Sequence, residues 1–161
     1  MSNLESPEPQ YWLTVGSREN FEISRARGFN LLGIKSTHRK KAAQIRPGDG
    51  VLYYLTGLMV LAGGVSVQSE MFEDETQVWT CSSVKNGKPE VYPYRFHIKP
   101  TLIAPSESGF LPVREIREQL AYLRKWPEKN WTLGFQGNLH LWPESDFRLA
   151  YAALTERLQR S

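Results

Sequence analysis

Hydrogen-bonding side chains cluster where a short apolar strand is followed by a helix, within residues 11–23. Ser17 is a good helix N-cap, because its hydroxyl can accept a hydrogen bond from an unpaired amide of the first turn. Glu19 lies in that first turn, where the helix dipole favours negative charge, and Asn20 follows it. Hydrogen-bond donors and acceptors that are held in fixed positions at a helix N-terminus are suited to recognising the polar edge of a ligand. A capped helix without a ligand explains the same residues, so both interpretations stand.

A second candidate is the basic run of residues 35–46, which holds five lysines and arginines and no acid. Such a run suits a phosphate backbone, because each contact to a phosphate releases condensed counterions. An ordinary solvated helix has the same composition, so the run alone leaves the two interpretations balanced. The residues that we predict to contact phosphate here are Lys35, His38, Arg39, Lys40 and Lys41.

Catalysis has little support in the sequence. Cys81 is the only cysteine, and it shares no motif with His97, its one conceivable base. Asp49 and Asp146 lie where turn and helix-start chemistry explains them. The three histidines are dispersed and show no spacing typical of a zinc site. We therefore expect no catalytic residues, no metal and no cofactor.

The spacing of apolar residues predicts the elements that position these groups. Strands are predicted over residues 11–15, 51–55, 60–67 and 94–103, and a loop or hairpin turn at Asn86-Gly87. Helices are predicted after Ser17 and over residues 37–45. Two amphipathic helices are predicted, the first ending near Trp126 and the second beginning at Pro143. Their apolar stripes are Val113, Ile116, Leu120 and Leu123 in the first, and Phe147, Ala150, Tyr151, Leu154 and Leu158 in the second.

The length and composition of the chain limit the classes of protein to which it can belong. The chain has 161 residues, 40% of them hydrophobic and 23% charged, which is ordinary for one soluble domain. We expect a disordered tail over residues 1–10 and a single α+β domain over residues 11–161, with a curved mixed sheet or small barrel and flanking helices. No apolar run approaches the roughly 20 residues that span a bilayer. One cysteine and no signal-peptide pattern predict a cytoplasmic location.

Eleven short segments occur along the chain in an order and spacing that together are specific. With these segments the chain resembles an EVE domain. EVE domains belong to the PUA-like superfamily and are relatives of the YTH domain. The resemblance runs from Tyr11 to about Leu154. The segments are Tyr11-Trp12-Leu13, Ser17-x-Glu19-Asn20-Phe21, Gly33-Ile34-Lys35, Arg46-Pro47-Gly48-Asp49, Val51-x-Tyr53-Tyr54 with Thr56-Gly57, Gly63-Gly64-Val65, Trp79, Tyr92-Pro93-Tyr94-Arg95, Trp131, Phe135-Gln136-Gly137 and Pro143-x-x-Asp146-Phe147.

The resemblance implies a PUA-like mixed β pseudobarrel with flanking helices and a pocket for a modified base. The best candidates are 5-methylcytosine and 5-hydroxymethylcytosine in DNA, whereas the YTH relatives read methylated adenine in RNA through an aromatic cage. Tyr54 and Trp79 occupy family positions suited to stacking on a base. Arg95 is predicted either to contact phosphate or to pair with Asp74. The predicted base pocket consists of Ser17, Glu19, Asn20, Leu32, Tyr54, Thr56, Trp79, Phe135 and Gln136.

One residue departs from the family pattern. The family usually has a tryptophan before the Gly-Val step, and this chain has Leu32 before Gly33-Ile34. If that tryptophan forms a wall of the pocket, this protein lacks one stacking surface. We therefore expect a weaker preference for the modified base than in relatives.

Three functions remain open at this point. The first is a reader of a modified base in DNA, and the second is an RNA-binding module for tRNA or modified RNA. The third is a small PUA-like enzyme or a protein-interaction domain. The partner is expected to be nucleic acid and not a membrane. Whether the protein acts alone or beside a nuclease or other effector encoded separately stays open.

Overall fold

The computed structural model describes residues 8–80, 84–85 and 87–160. Residues 1–7, which form most of the predicted tail, lie outside the described residues, and so does Cys81. Gln10, at the end of that predicted tail, is held by hydrogen bonds to Asp49 and to the carbonyl of Gln44.

Eight strands of the described chain form one curled mixed sheet. Strand β1 pairs with β3 in parallel, and all the other strand pairs are antiparallel. The main path runs β10-β1-β3-β4-β8-β2, while β5 pairs with β8 and β9 with β4. The strands of this sheet are β1 (Tyr11–Gly16), β2 (Leu31–Ile34), β3 (Gly50–Leu55), β4 (Val60–Val67), β5 (Phe72–Glu73), β8 (Tyr94–Ile103), β9 (Leu111–Pro112) and β10 (Leu139–Trp142). Strands β6 (Val84–Lys85) and β7 (Lys88–Pro89) form a separate antiparallel pair. Of the turn predicted at Asn86-Gly87, Gly87 lies between these strands, and Asn86 lies outside the described residues.

Three α-helices flank this sheet in the described chain: α1 (Arg18–Ala26), α2 (Arg39–Ala42) and α3 (Glu144–Arg160). The predicted N-cap is confirmed, because the Ser17 hydroxyl accepts a hydrogen bond from the Asn20 amide at 3.1 Å. The basic helix is shorter than predicted, since residues 36–38 form a 3₁₀ turn before α2. In α3, Phe147, Ala150 and Leu154 are buried as predicted, while Tyr151 and Leu158 are half-buried. No helix of the described chain is long and apolar enough to cross a membrane.

The prediction of an amphipathic helix that contains Val113 and ends near Trp126 is wrong. This segment forms three short 3₁₀ turns, and the chain is extended at Leu120 between the last two. The carboxylate of Asp146 accepts hydrogen bonds from the amides of Ala121 and Tyr122 at 3.0 and 2.7 Å, which satisfies amides that a helix would use internally. The four apolar residues are nevertheless buried. Their spacing suits either structure, because a 3₁₀ turn repeats every three residues and an α-helix every 3.6.

The sheet is covered on both faces, so the alternating side chains of its central strands enter two different cores. Trp12 and Tyr53 face a core inside the curl of the sheet, together with Phe21 and Phe96. Leu13 and Tyr54 face a second core between the sheet, α3 and the 3₁₀ segment. Because neither face meets water, β1 and β3 appear as nearly continuous apolar runs in the sequence.

The two edges of the main path, β10 and β2, are linked through Asn138. Its side-chain amide donates to the Val15 carbonyl at 3.0 Å and accepts from the Lys35 amide at 2.8 Å. The ammonium of Lys41 adds a hydrogen bond to the Leu139 carbonyl at 3.0 Å. Side-chain hydrogen bonds thus close the pseudobarrel at the position where strand pairing stops.

The turn that precedes β3 is organised by the buried carboxylate of Asp49. It accepts hydrogen bonds from the Gln10 amide at 2.9 Å, the Gln10 side chain at 3.0 Å, the Trp12 indole at 2.9 Å and the Arg46 amide at 3.0 Å. One side chain therefore connects the start of β1, the turn and the inner core.

We expect Asp49→Ala to lower the free energy of unfolding by about 3 kcal/mol, because it leaves several buried donors unpaired at about 1–3 kcal/mol each. Urea unfolding at neutral pH measures this loss. Asp49→Asn keeps one acceptor oxygen and should fall between the wild type and the alanine variant. An alanine variant within 1 kcal/mol of the wild type would contradict the anchoring role of Asp49.

Candidate nucleic-acid interface

All the predicted base-pocket residues except Glu19 line one of two cavities, which lie on opposite faces of the β1–β3 pair. Neighbouring residues of these strands point to opposite faces, so Thr14 and Tyr53 line one cavity while Val15 and Tyr54 line the other. The smaller cavity, which we call the closed cavity because its volume of about 40 Å³ is too small for a nucleobase, is lined by Thr14, Ser17, Asn20, Phe21, Ser24, Leu31, Leu32, Gly33, Tyr53, Leu55, Trp79 and Tyr92. The open cleft, of about 490 Å³, is lined by Val15, Lys35, Tyr54, Thr56, Gly57, Met59, Thr132, Phe135, Gln136, Gly137 and Asn138.

The indole of Trp79 forms a wall of the closed cavity and lies directly against Gly33. A Cβ atom at Gly33 would approach the indole Cη2 to 2.8 Å and the Cβ of Tyr92 to 2.9 Å, so only glycine permits this packing. The indole N–H donates to the Ser24 hydroxyl at 3.0 Å. The Tyr92 ring meets the indole edge to face, with ring centroids 5.8 Å apart. Tyr92 and Ser24 are cavity residues that the sequence analysis did not select.

Asn20 fastens the segment that carries Trp79. Its side-chain amide donates to the Thr80 carbonyl at 2.7 Å and accepts from the Thr80 amide at 2.9 Å. These two hydrogen bonds have the same pattern as the backbone hydrogen bonds between paired strands. They use the Asn20 side chain within the protein, so it is not free to bind a ligand in this structure. Glu19, predicted beside it, is exposed on α1 and lines neither cavity.

Arg95 is not a phosphate contact, because its side chain is only 1% exposed. Its guanidinium lies over the Trp79 ring, 5.3 Å from the centroid, and pairs with Asp74 at 3.5 Å. Burial lowers the pKa of Arg95, and the charge of Asp74 opposes that shift. The alternative prediction, a pair with Asp74 on the surface, is confirmed for the pair but not for the surface position, because the Arg95 side chain is buried. The guanidinium also donates to three backbone carbonyls, those of Thr76, Val91 and Tyr92. Arg95 is therefore an internal cation that holds the chain on both sides of Trp79.

The closed cavity is smaller than a nucleobase in this structure. At roughly 10–15 Å³ for each enclosed water, its 40 Å³ holds about three water molecules, which is less than a pyrimidine needs. Trp79 is 5% exposed, and its indole lies against Gly33 of β2 and is hydrogen-bonded to Ser24 of α1. A base therefore enters only if the Trp79 segment moves away from Gly33.

The open cleft has an aromatic floor and a polar rim. Tyr54 stacks on Phe135 with ring centroids 4.2 Å apart and planes 5° apart, and both rings are buried. Burial raises the pKa of Tyr54 to about 12, so its hydroxyl stays protonated at neutral pH. Thr56 and Gln136 lie exposed at the rim, as does Met59. The two rings thus belong to the core and support the cleft from below.

The basic edge is formed by Lys35, His38, Arg39, Lys40 and Lys41, and its first residue, Lys35, lines the open cleft. Arg39 pairs with Glu73 at 3.4 Å, and Lys41 is bound to the Leu139 carbonyl. Burial and the nearby charges of Lys41 and Lys35 lower the pKa of His38, so its ring is neutral at pH 7. Among the described residues, Lys35 and Lys40 have no ion pair. These two lysines are the cations of this edge with most freedom to meet an anion.

We expect Gly33→Ala to push the Trp79 indole away from β2, because the added methyl group has no space. Urea unfolding should show a loss of more than about 1 kcal/mol, as for other overpacked cores. Acrylamide should also quench tryptophan fluorescence more strongly. Gly16→Ala is the matched control, since nothing lies within 4 Å of a Cβ there. Equal behaviour of the two variants would contradict the packing of Trp79 on Gly33.

Two known structures share the fold of this chain. The YTH domain of the Zygosaccharomyces rouxii MRB1 protein, solved in complex with N6-methyladenosine RNA, is 13% identical with a TM-score of 0.63, covering 94% of this chain and 90% of that one. The human THYN1 protein, solved in complex with 5-methylcytosine containing DNA, is 14% identical with a TM-score of 0.58, covering 90% of this chain and 97% of that one. At such identities the likeness shows the fold alone, and it confirms the predicted PUA-like pseudobarrel.

Similarity in sequence is more specific than similarity in fold. The chain is 28% identical over 149 residues to UPF0310 protein PH1033 of Pyrococcus horikoshii, which covers 86% of this chain and 94% of that protein. The family model of the EVE domain matches residues 10–134, which is most of the chain. The protein therefore belongs to the EVE domain family.

Proposed function

We propose that this protein is a binding module, and not an enzyme, that accommodates a flipped modified base of a nucleic acid in the closed cavity. We favour 5-methylcytosine or 5-hydroxymethylcytosine in DNA. The observation that carries the proposal is the closed cavity itself, where aromatic walls of Trp79 and Tyr92 meet the polar N-terminus of α1. The human THYN1 protein, which shares the fold, was solved with 5-methylcytosine containing DNA.

A protein that inspects a base in a duplex must take it out of the stack and hold its faces. Stacking on an aromatic side chain is worth about 1–3 kcal/mol for each base. Here the indole of Trp79 supplies one face once it withdraws from Gly33. Leu32 also lines the cavity, at the position where the family usually has a tryptophan, so this part of the wall has no ring. A base that stacks on one indole gains less than one held between two aromatic rings.

The strands of the nucleic acid need cations beside the cavity, and the basic edge supplies them. The cavity residue Gly33 and the cleft residue Lys35 are only two positions apart, at the end of β2. A base that enters the closed cavity therefore leaves its neighbouring phosphates near Lys35 and Lys40. The rim of the open cleft, with Thr56 and Gln136, adds hydrogen-bonding groups for the adjacent sugar and phosphate.

RNA is the second candidate ligand. The observation that favours it is the fold shared with the YTH domain of MRB1, which was solved with N6-methyladenosine RNA. The same cavity and basic edge would serve either nucleic acid, so binding experiments must include both.

We expect a duplex with 5-methylcytosine to bind several-fold more tightly than the unmodified duplex, because one buried methyl group is worth about 0.8 kcal/mol. Trp79→Ala should bring this ratio close to one, and Trp79→Phe should retain part of it. Fluorescence anisotropy titrations measure the ratio, with Trp126→Ala as the control for loss of an indole elsewhere. Equal affinity for both duplexes together with tight binding of an RNA carrying N6-methyladenosine would replace this proposal with the RNA alternative.

We expect the double variant Lys35→Ala/Lys40→Ala to weaken binding of plain and modified duplexes by the same factor. The slope of log K against log salt should fall by about 0.9 for each lost phosphate contact. Lys99→Ala is the matched control, because Lys99 lies on β8 beyond the other end of β2. An unchanged slope in the double variant would place the phosphate contacts elsewhere on the surface.

A further inference from the structure

Three exposed cations of the 3₁₀ segment that precedes β10 form a second basic surface, which we call the distal basic surface: Arg124, Lys125 and Lys129. Within the described chain, none of the three has an ion pair. Between residues 120 and 143 the sequence holds a single acid, Glu128, and its carboxylate pairs with Arg117 at 3.8 Å. The positive charge of this surface is therefore not balanced by its own segment.

Two aromatic rings hold the Lys125 ammonium in place beside β10. It lies 4.3 Å from the ring centroid of Tyr122 and 5.1 Å from that of Trp126. Tyr122 is itself fixed, because its hydroxyl shares a hydrogen bond with Nδ1 of His140 at 2.9 Å and its amide donates to Asp146 at 2.7 Å. An aromatic face attracts a cation without neutralising its charge. Lys125 is therefore an ordered cation whose charge remains available to an anion.

Strand β10 joins the distal basic surface to the basic edge. The Lys41 ammonium of the basic edge is bound to the carbonyl of Leu139, and Tyr122 contacts the next residue of the strand, His140. Burial lowers the pKa of His140 to about 4, and the charge of Lys41 adds to this shift, so the field of the basic edge reaches this side chain. Two acid-poor segments that are distant in sequence therefore meet at one strand.

The open cleft adjoins the distal basic surface as well. Lys129 belongs to the 3₁₀ segment Glu128–Phe135, and Thr132 and Phe135 of that segment line the cleft. Lys35 of the basic edge lines the same cleft. The basic edge, the cleft and the distal basic surface thus form one continuous region of the protein surface.

The distribution of charge indicates which partner fits this region. The three arginines of α3 are balanced by carboxylates, in the pairs Arg148–Glu144, Arg157–Glu115 and Arg160–Glu156. The formal net charge of the chain is only +3, so a strongly basic region requires cations that are gathered without acids. A region of this kind attracts the sugar–phosphate backbone of a nucleic acid, because each phosphate contact releases condensed counterions.

We propose that the distal basic surface binds phosphates of the nucleic acid that flank the flipped base, so that the interface extends across β10 from the basic edge. Contacts to phosphate fix the position of the ligand and carry no sequence information. The distal basic surface therefore adds affinity for any duplex and no preference for the modified base. This inference rests on the proposed function and adds a second set of backbone contacts to it.

The first test uses the double variant Arg124→Ala/Lys129→Ala, which leaves Lys125 and its two aromatic rings in place. Anisotropy titrations use two DNA duplexes of one sequence that carry cytosine or 5-methylcytosine at one position. We expect the variant to bind both duplexes about 2- to 30-fold more weakly than the wild type, the range for two exposed ion pairs. The slope of log K against log salt should fall by about 0.9 for each lost contact, with the ratio between the duplexes unchanged.

The matched control is Arg27→Ala/Lys99→Ala, which removes the same charge from two exposed residues. Arg27 precedes β2 and Lys99 follows its partner residues on β8, so both lie at the opposite end of β2 from Lys35. The control should keep the affinity and the salt slope of the wild type. An equal loss in both double variants would mean that only the net charge matters, and it would overturn the inference.

Lysine acetylation locates the contacts directly in the wild-type protein. With the duplex bound, Lys125 and Lys129 should react more slowly with N-hydroxysuccinimide acetate than in the free protein, and Lys99 should react at the same rate, as measured by mass spectrometry. Either an unchanged salt slope in Arg124→Ala/Lys129→Ala or unprotected Lys125 and Lys129 would overturn the inference, while the proposed function stands. Equal binding of the two duplexes by the wild type would remove the preference for the modified base and leave the distal contacts intact. If the wild type binds neither duplex, the proposed function and the inference fail together.

Discussion

The parallel pairing of β1 with β3 is the constraint on which the rest of the structure depends. Parallel strands cannot be joined by a tight turn, so the chain between Gly16 and Gly50 must cross over and return. That crossover contains α1, β2 and α2, and with them the N-cap at Ser17, the glycine beneath Trp79 and the basic edge. The two strands also finish together, since the Thr56 amide donates to the Gly16 carbonyl at 2.8 Å. Both cavities are therefore lined by residues near the carboxyl ends of the same two strands.

The closed cavity is held shut by groups that also qualify as ligand-binding groups. Asn20 and Arg95 fasten the chain around Trp79 with hydrogen bonds to its backbone, and the indole rests where a base would stack. Opening the cavity breaks these contacts. The free energy of binding is therefore the stabilisation from the ligand's own stacking and hydrogen bonds minus the cost of the broken contacts. On the proposed function, this cost reduces the affinity for the base, and electrostatic attraction at the basic edge becomes a correspondingly larger part of binding.

Structural features that depend on interactions between residues close in sequence were predicted correctly. The N-cap at Ser17, the turn before β3 and helix α3 depend on hydrogen bonds or apolar spacing within a few residues, and each was predictable. The structure of residues 113–123 was not predictable in this way, because three 3₁₀ turns bury the same four apolar side chains as an α-helix would. What separates the two structures is the capture of the Ala121 and Tyr122 amides by Asp146, about 25 residues further along the chain. Apolar periodicity carries no information about such a distant acceptor.

The sequence by itself determined the family and the fold class, because motif order and strand patterning are written along the chain. Eight of the nine residues that it predicted for the base pocket line one of the two cavities. How those residues are distributed between the two cavities was decided by the tertiary structure. The two faces of the β1–β3 pair differ only after the sheet curls and both faces are covered. The tertiary structure also decided that Arg95 is internal whereas Lys35 and Lys40 have no ion pair among the described residues. A cation's role depends on what the fold packs around it.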